Sequence, residues 1–357
     1  GATVLHEIYY PAADSGEWVE NDTLILLDDV LVQVEAKAGV AAMHSPATDF
    51  PRHAQKVRDL VLKAYHQTKR FLEYAQSAPV VPLYQRRESG FEEIMRLELG
   101  RYRCVFPIGL TVESFAPFSS ICKEIPEVEP ILGRYAFISM SIDDLFIIRR
   151  LLPTAGGLFH YLEVRQSVAG IRNAFIFDEI DHLGSYVLKN RFDRDIKEQL
   201  KDGADRITWD GFSKVIDDYF MSDRWKEEPP PSQPMPNELA RILAALEHQR
   251  PTGWLKAQSL IRDLGSEGRD RIAGLLRELV ASLSTYPRRW FMSPEPPSLM
   301  FWLTREAELQ PSSLPEQAKA ECLKLGISTV NVIHLSFDSD LQRFEIAYHC
   351  VRFTFTH

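Results

Sequence analysis

No run of apolar residues in this chain approaches the roughly 20 needed to cross a bilayer as a helix, so no membrane association is expected. Cysteine is scarce, with four in 357 residues. Cys104, Cys122, Cys322 and Cys350 lie far apart, without a Cys-x-x-Cys pair or a nearby histidine cluster. That argues against a zinc ribbon and against a secreted disulfide framework, and predicts reduced, mostly buried thiols. Positive charge is not in excess either: the net charge is −9, so a basic footprint for nucleic acid has to be local. There is no internal repeat. "TAGG" (154–157) is not followed by Gly-Lys-Ser/Thr, which makes it a turn into a helix and not a phosphate loop. The opening "GATVLHEIYY" lacks the basic start and apolar stretch of a signal peptide, so a cytoplasmic location is expected. The chain starts at Gly and not Met, so further residues upstream are expected.

What is present is ordinary for a globular protein: 45% apolar and 25% charged residues. The length predicts two or three domains. The clearest linker is the proline-rich "KEEPPPSQPMPNE" (226–238), which precludes regular structure. The organisation expected is a core over 1–150, a helical extension over 151–227, a linker at 228–237 and a C-terminal α+β domain at 238–357. In the core, "TVLHEIYY", "DTLILLDD" and "VLVQVEAK" alternate as consecutive antiparallel strands. A helix over about Arg52 to Ala75 follows, with Asp49 as its N-cap and Pro51 in its first turn. Strands "RCVFPIGLTVE" and "YAFISMS" come next, then helical patterns from Asp143 to Tyr219. The last domain opens with three helices and closes on "STVNVIHLSF" and "RFEIAYHCVRFTFTH". The class expected is α+β.

The hairpin poses the chemical question. With Asp28-Asp29 at the turn, Leu27 faces Val30, and the same register sets Asp22 opposite Glu35. One face then carries Asp22, Leu24, Leu26, Leu31, Gln33 and Glu35. Carboxylates facing across a ladder have Cβ atoms roughly 5 Å apart and repel. A divalent cation such as Mg²⁺ or Mn²⁺ on Asp22 and Glu35 would compensate. Lys37 lies on the same face, about 6.6 Å beyond Glu35, where its ammonium could orient water and offset charge on a phosphate. Such a trio fits metal-assisted hydrolysis of a phosphodiester.

The following helix adds a basic stripe. Residues 51–70 hold six Lys or Arg against one Asp, and Arg52, Lys56, Lys63, Gln67, Arg70 and Tyr74 fall within an arc of about 60°. Leu60, Val61, Ala64, Phe71, Leu72 and Ala75 occupy the neighbouring side, which should pack on the sheet. Arg52, Lys56, Lys63 and Arg70 are the expected contacts to a phosphate backbone. Gln67, at the border, is placed to face the polar side of the hairpin.

"ENDTLILLDDVLVQVEAKAG" resembles the PD-(D/E)xK superfamily, in its nuclease-related-domain and RecB-like branches. Asp22 takes the place of the acid, Glu35 and Lys37 of the Glu-x-Lys, and "HQTKRF" supplies Gln67 with Phe71 near the family's aromatic. The resemblance covers roughly residues 1–115. Asn21 stands where the usual proline precedes the acid, and the family's leading helix is missing. It implies a restriction-endonuclease-like mixed sheet with flanking helices and metal-dependent nuclease activity, with Asp22, Glu35, Lys37 and Gln67 catalytic. It also implies DNA ahead of RNA as the partner, with a homodimer or protein partner open. The alternatives are a silent nucleic-acid-binding or protein-interaction module on the same fold, or a scaffold whose hairpin charges form only an ion pair. Glu20, His6 and Glu7 are weaker extras. Asp178, Asp181 and His182 in "DEIDHLGSY" read as acids drawn to a helix N-terminus.

Overall fold

The computed structural model describes residues 1–12, 16–38, 50–112, 122–305 and 313–353, with the backbone alone at 50–54, 313 and 315. Asp49 lies outside the described residues, as does the side chain of Arg52. The fold is mixed α+β. It divides into two compact units, Gly1–Pro153 with Tyr161–Gln233, and Thr154–His160 with Pro234–His357. The break at Gln233 falls inside the proline-rich stretch. Most of the expected helical extension belongs to the first unit and forms no body of its own.

The first unit is built on strands β1 (Thr3–Pro11), β2 (Trp18–Leu27) and β3 (Val30–Lys37), helix α1 (Phe50–Gln76), then β4 (Val81–Arg87), β5 (Gly90–Leu97), β6 (Cys104–Thr111) and β7 (Ile138–Ser141). The sheet order is β5-β4-β1-β2-β3-β6-β7. Antiparallel pairing runs from β5 to β3, and β3-β6-β7 is parallel. Helices α2 (Ile142–Leu151), α3 (Ala155–Ala169), α4 (Glu179–Lys189), α5 (Phe192–Lys201) and α6 (Lys214–Met221) follow, with the short parallel pair β8 (Ala174–Ile176) and β9 (Ile207–Trp209) among them.

The apolar side of α1 covers the sheet as its spacing requires. Val57, Val61, Ala64, Phe71, Leu72 and Ala75 are buried in one core with Leu24, Leu26, Leu31 and Val105. The approach is close where α1 passes β6: a Cβ on Gly109 would lie 2.5 Å from Phe137 Cζ and 3.2 Å from Ala64 Cβ. Gly109 is also the rung partner of Glu35. The β4–β5 hairpin has no counterpart in the sequence reading. Its six charged residues from Arg86 to Arg96 leave no alternating apolar face, and cross-strand pairs such as Arg87–Glu92 at 3.1 Å lie in solvent at the sheet's outer end.

The second unit holds α7 (Asn237–Gln249), α8 (Trp254–Arg262), α9 (Ser266–Ser282), β10 (Arg288–Ser293), β11 (Leu299–Arg305), α10 (Ser313–Leu325), β12 (Thr329–Phe337) and β13 (Phe344–Arg352). Its sheet runs β10-β11-β12-β13, with only β11 and β12 parallel. Ala318 and Cys322 of α10 pack on Met300, Trp302, Val330 and Val332. Three helices open this unit as expected, but β10 and β11 were not anticipated. Among the described residues no helix is long and apolar enough to cross a membrane.

Gly109→Ala should destabilise the first unit by about 1–3 kcal/mol, because neither the buried Phe137 ring nor the α1 backbone can yield freely. Urea unfolding followed by circular dichroism measures this; a change below about 0.5 kcal/mol would mean that α1 can lift off β6 at little cost.

Candidate active site

The β2–β3 hairpin has the expected register: Leu27 pairs with Val30, and rungs continue to Thr23↔Val34. The turn has Asp28 at φ 51°, the left-handed conformation foreseen for it. The ladder stops one rung before Asp22 and Glu35. On the other side of β2, His6↔Thr23 and Ile8↔Asn21 pair while the rung between them is missing, and Glu7 sits at φ 51°. Both ladders are therefore interrupted at Asp22. An irregularity of this kind re-aims side chains, and here it turns Asn21 onto the same face as Leu24. Asn21 is fully buried and accepts a 2.7 Å bond from Gln33 Nε2.

Released from the ladder, Asp22 does not face Glu35 across a rung. Its Oδ2 accepts from the backbone N–H of Ala36 at 2.7 Å and from Lys37 Nζ at 3.2 Å. Lys37 Nζ also donates to Glu35 Oε2 at 3.0 Å, so the ammonium bridges both carboxylates. Glu35 is 0% exposed, Lys37 10% and Asp22 31%. The trio thus sits at the boundary between core and solvent. Burial, and after it the charge of Asp22, pushes the Glu35 carboxyl up to about 7, while the Lys37 ammonium and the Asp22 backbone N–H pull it down.

Around Glu35 lies a seam of buried polar atoms that lack partners. Glu35 Oε1, Gln33 Oε1, Asn21 Nδ2, Tyr10 Oη and Gln67 Oε1 are all enclosed and unbonded. Tyr10 packs its ring against Phe71 and Tyr74 of α1, at centroid distances of 5.4 and 5.0 Å. Its phenol is pushed well above the usual range, first by burial; the charge of Arg70 opposes the shift and that of Glu35 adds to it. Each buried polar atom without a partner costs stability, so several in one region are unusual in a folded interior. Gln67, an expected site residue, is half-buried on α1 with its Oε1 unbonded. Asn21, Gln33 and Tyr10 were not anticipated, although Gln33 was already on the right face, and a glutamine inside an apolar strand was a usable signal.

Lys56, Lys63 and Arg70 are exposed on α1, as the stripe predicts. Arg58 is tied to Glu127 at 2.6 Å. Glu20 accepts from the Tyr9 hydroxyl at 2.8 Å, and His6 Nδ1 lies 3.0 Å from Thr23 Oγ1, so neither joins the trio. Asp178 is the N-cap of α4 and accepts from Asp181 N at 2.7 Å; Asp181 in turn accepts from Ser213 N at 2.8 Å. Buried His182 is held neutral, its pKa lowered by burial. "TAGG" leads into α3, whose Ala155 and Gly156 N–H groups donate to Glu247.

Among the described residues no group of three or more His, Cys, Asp or Glu side chains comes together. The donor set that is present still suits a hard cation: two carboxylates are enough for Mg²⁺ when water completes the shell, and Glu35 Oε1 is already stripped of other partners. Asp22 and Glu35 would hold it, displacing the ammonium that bridges them here.

Searches against protein-family models, curated proteins and solved structures returned no match.

Glu35 imposes a pH dependence. Between its ordinary 4.5 and about 7 the folded state keeps a proton that the unfolded chain has released. Stability should therefore fall as pH rises through that window, by up to about 3 kcal/mol, and level off above it. Thermal unfolding in EDTA from pH 4 to 8 tests this. Glu35→Gln should flatten the slope, and an unchanged slope in that variant would mean that the carboxyl does not titrate there.

Proposed function

We propose that the first unit is a metal-dependent nuclease of the restriction-endonuclease-like kind, with Asp22, Glu35, Lys37 and Gln67 as its active site. The observation that carries this reading is the convergence of Asp22 Oδ2 and Glu35 Oε2 on the Lys37 ammonium, with the other Glu35 oxygen, Oε1, buried and without a partner. Asp22 and Glu35 would hold Mg²⁺ or Mn²⁺, which would supply positive charge and make a bound water more acidic. The Lys37 ammonium would offset the charge that develops on the phosphate as water adds and the P–O bond to the leaving sugar breaks, the water's proton ending on the leaving oxygen. Gln67 of α1, whose buried Oε1 has no partner, would supply an amide to orient a water or a phosphate oxygen. Lys56, Lys63 and Arg70 run outward along the helix and bind the nucleic-acid backbone, with an affinity that falls as salt rises.

A second reading keeps the fold and drops the chemistry. Lys37 already bridges both carboxylates, and no third His, Cys, Asp or Glu joins them among the described residues. Such a site is stable without metal and suits a silent nucleic-acid-binding module.

Cleavage of labelled single- and double-stranded DNA and RNA in Mg²⁺, Mn²⁺ or EDTA separates the two. The nuclease reading expects metal-dependent cutting that falls roughly 10²–10³-fold in both Glu35→Ala and Lys37→Ala. Asp22→Ala should also lose any Mg²⁺-dependent rise in melting temperature. Salt-sensitive binding without cutting, unchanged in Glu35→Ala and Lys37→Ala, would establish the silent module.

A further inference from the structure

The second unit holds a cavity of about 280 Å³ where α7 and α9 meet the end of β12 and the start of β13. Helical spacing supplies one half of its wall: Ile242 of α7, with Leu276 and Val280 one turn apart on α9. Strand spacing supplies the other half. Leu335 and Phe337 share one face of β12, and Phe344 of β13 is the rung partner of Phe337, with the two rings 5.2 Å apart. Ile242, Leu276, Leu335 and Phe337 are buried, while Val280 and Phe344 are half-buried. None of these six side chains carries a polar atom, so hydrocarbon displaces water from them favourably.

The charged part of the lining is gathered on the solvent side. Arg241 and Arg277 are exposed and Glu238 is half-buried. Glu238 Oε1 lies 3.3 Å from Arg277 Nε, which leaves the Nη1–Nη2 edge of that guanidinium without a bond among the described residues. That edge is one that a carboxylate can engage with both oxygens. Arg241 donates Nη2 to Gln342 O at 2.7 Å, and its guanidinium stands 5.6 Å over the Phe344 ring that forms part of the wall. Its other N–H groups make no bond among the described residues. Two cations against one acid leave the rim at a net +1, in a chain whose net charge is −9.

We propose that this cavity binds an aliphatic carboxylate of about ten carbon atoms, its chain lying between α7, α9 and the sheet and its head group meeting Arg241 and Arg277. A cavity of roughly 150 Å³ with similar walls holds benzene, so this one takes about twice as many carbon atoms. A neutral head group would forgo the charge-assisted bonds, and a cationic one would meet two like charges. A dianionic phosphate would exceed the single net charge of the rim, which a carboxylate matches. This inference does not depend on the chemistry assigned to Asp22, Glu35 and Lys37.

The test is isothermal titration calorimetry of the full chain with hexanoate, octanoate and decanoate, and with octanol and octylammonium as comparisons for the head group. Binding should tighten about fourfold for each added CH₂ up to decanoate, and octanol and octylammonium should bind at least tenfold more weakly than octanoate. The doubly substituted Arg241→Gln, Arg277→Gln protein should lose about tenfold for octanoate and stay within twofold for octanol, a difference that simple disruption of the fold would not produce. Ala281 also lines the cavity and is exposed, so Ala281→Trp should keep the melting temperature and weaken decanoate at least tenfold. The inference is overturned if decanoate does not bind at about 1 mM, or if its affinity does not depend on chain length. Octanol or octylammonium binding as tightly as octanoate would refute the role of the two arginines and with it the proposed ligand. Decanoate binding unchanged in folded Ala281→Trp would place the chain elsewhere and refute the site.

Discussion

The ion pair that the rest of the first unit depends on is the Lys37 ammonium set between Asp22 and Glu35. Glu35 is fully enclosed, and a lone ionised carboxylate there would cost several kcal/mol. Lys37 offsets part of that cost, as does the Asp22 backbone N–H, yet the carboxyl still titrates near neutrality. A structure that needed only a stable sheet would place Thr or Val at this position on β3. The charged trio and the unbonded atoms beside it lower the stability of the sheet.

The surrounding architecture brings α1 down onto that trio. Gly109 on β6 is the rung partner of Glu35, and its missing side chain lets Ala64 and Phe137 approach closely. On the same helix Gln67 is half-buried with its Oε1 unbonded. The cations Lys56, Lys63 and Arg70 then face outward on the same helix. One amphipathic helix thus serves as core on one side and as a basic surface on another.

The second unit has its own logic. Its helices are joined by short connections, and buried Arg269 of α9 bonds the carbonyls of Arg262 at the end of α8 and of Pro234 ahead of α7. A guanidinium that caps one helix from within the next fixes the turn more firmly than a local cap could, because it bonds two separate stretches of backbone at once. The outward face of α9 needs no apolar partner and carries charges of both signs.

Much of this was legible from residue order. Alternation in the hairpin gave its register, the 3.6-residue spacing gave the buried face of α1, and the proline-rich stretch marked where one unit gives way to the next. Asp22, Glu35 and Lys37 could be named because strand periodicity places residues two apart on one face. That reasoning is local, and it failed where the structure is not. The strand irregularity at Glu7 and Asp22 arises from β2 pairing with β1 and β3 together, and no periodicity in β2 alone announces it. The β4–β5 hairpin buries Val81, Leu83 and Leu97 at its base and pairs with β1, and the charged stretch beyond them carries no apolar alternation. Tyr10, Asn21, Gln33 and Gln67 come from β1, β2, β3 and α1, and only packing joins them. Spacing along one element is set by backbone geometry and can be counted residue by residue; proximity between elements is set by which side chains exclude each other in the core, and that is decided when the elements pack.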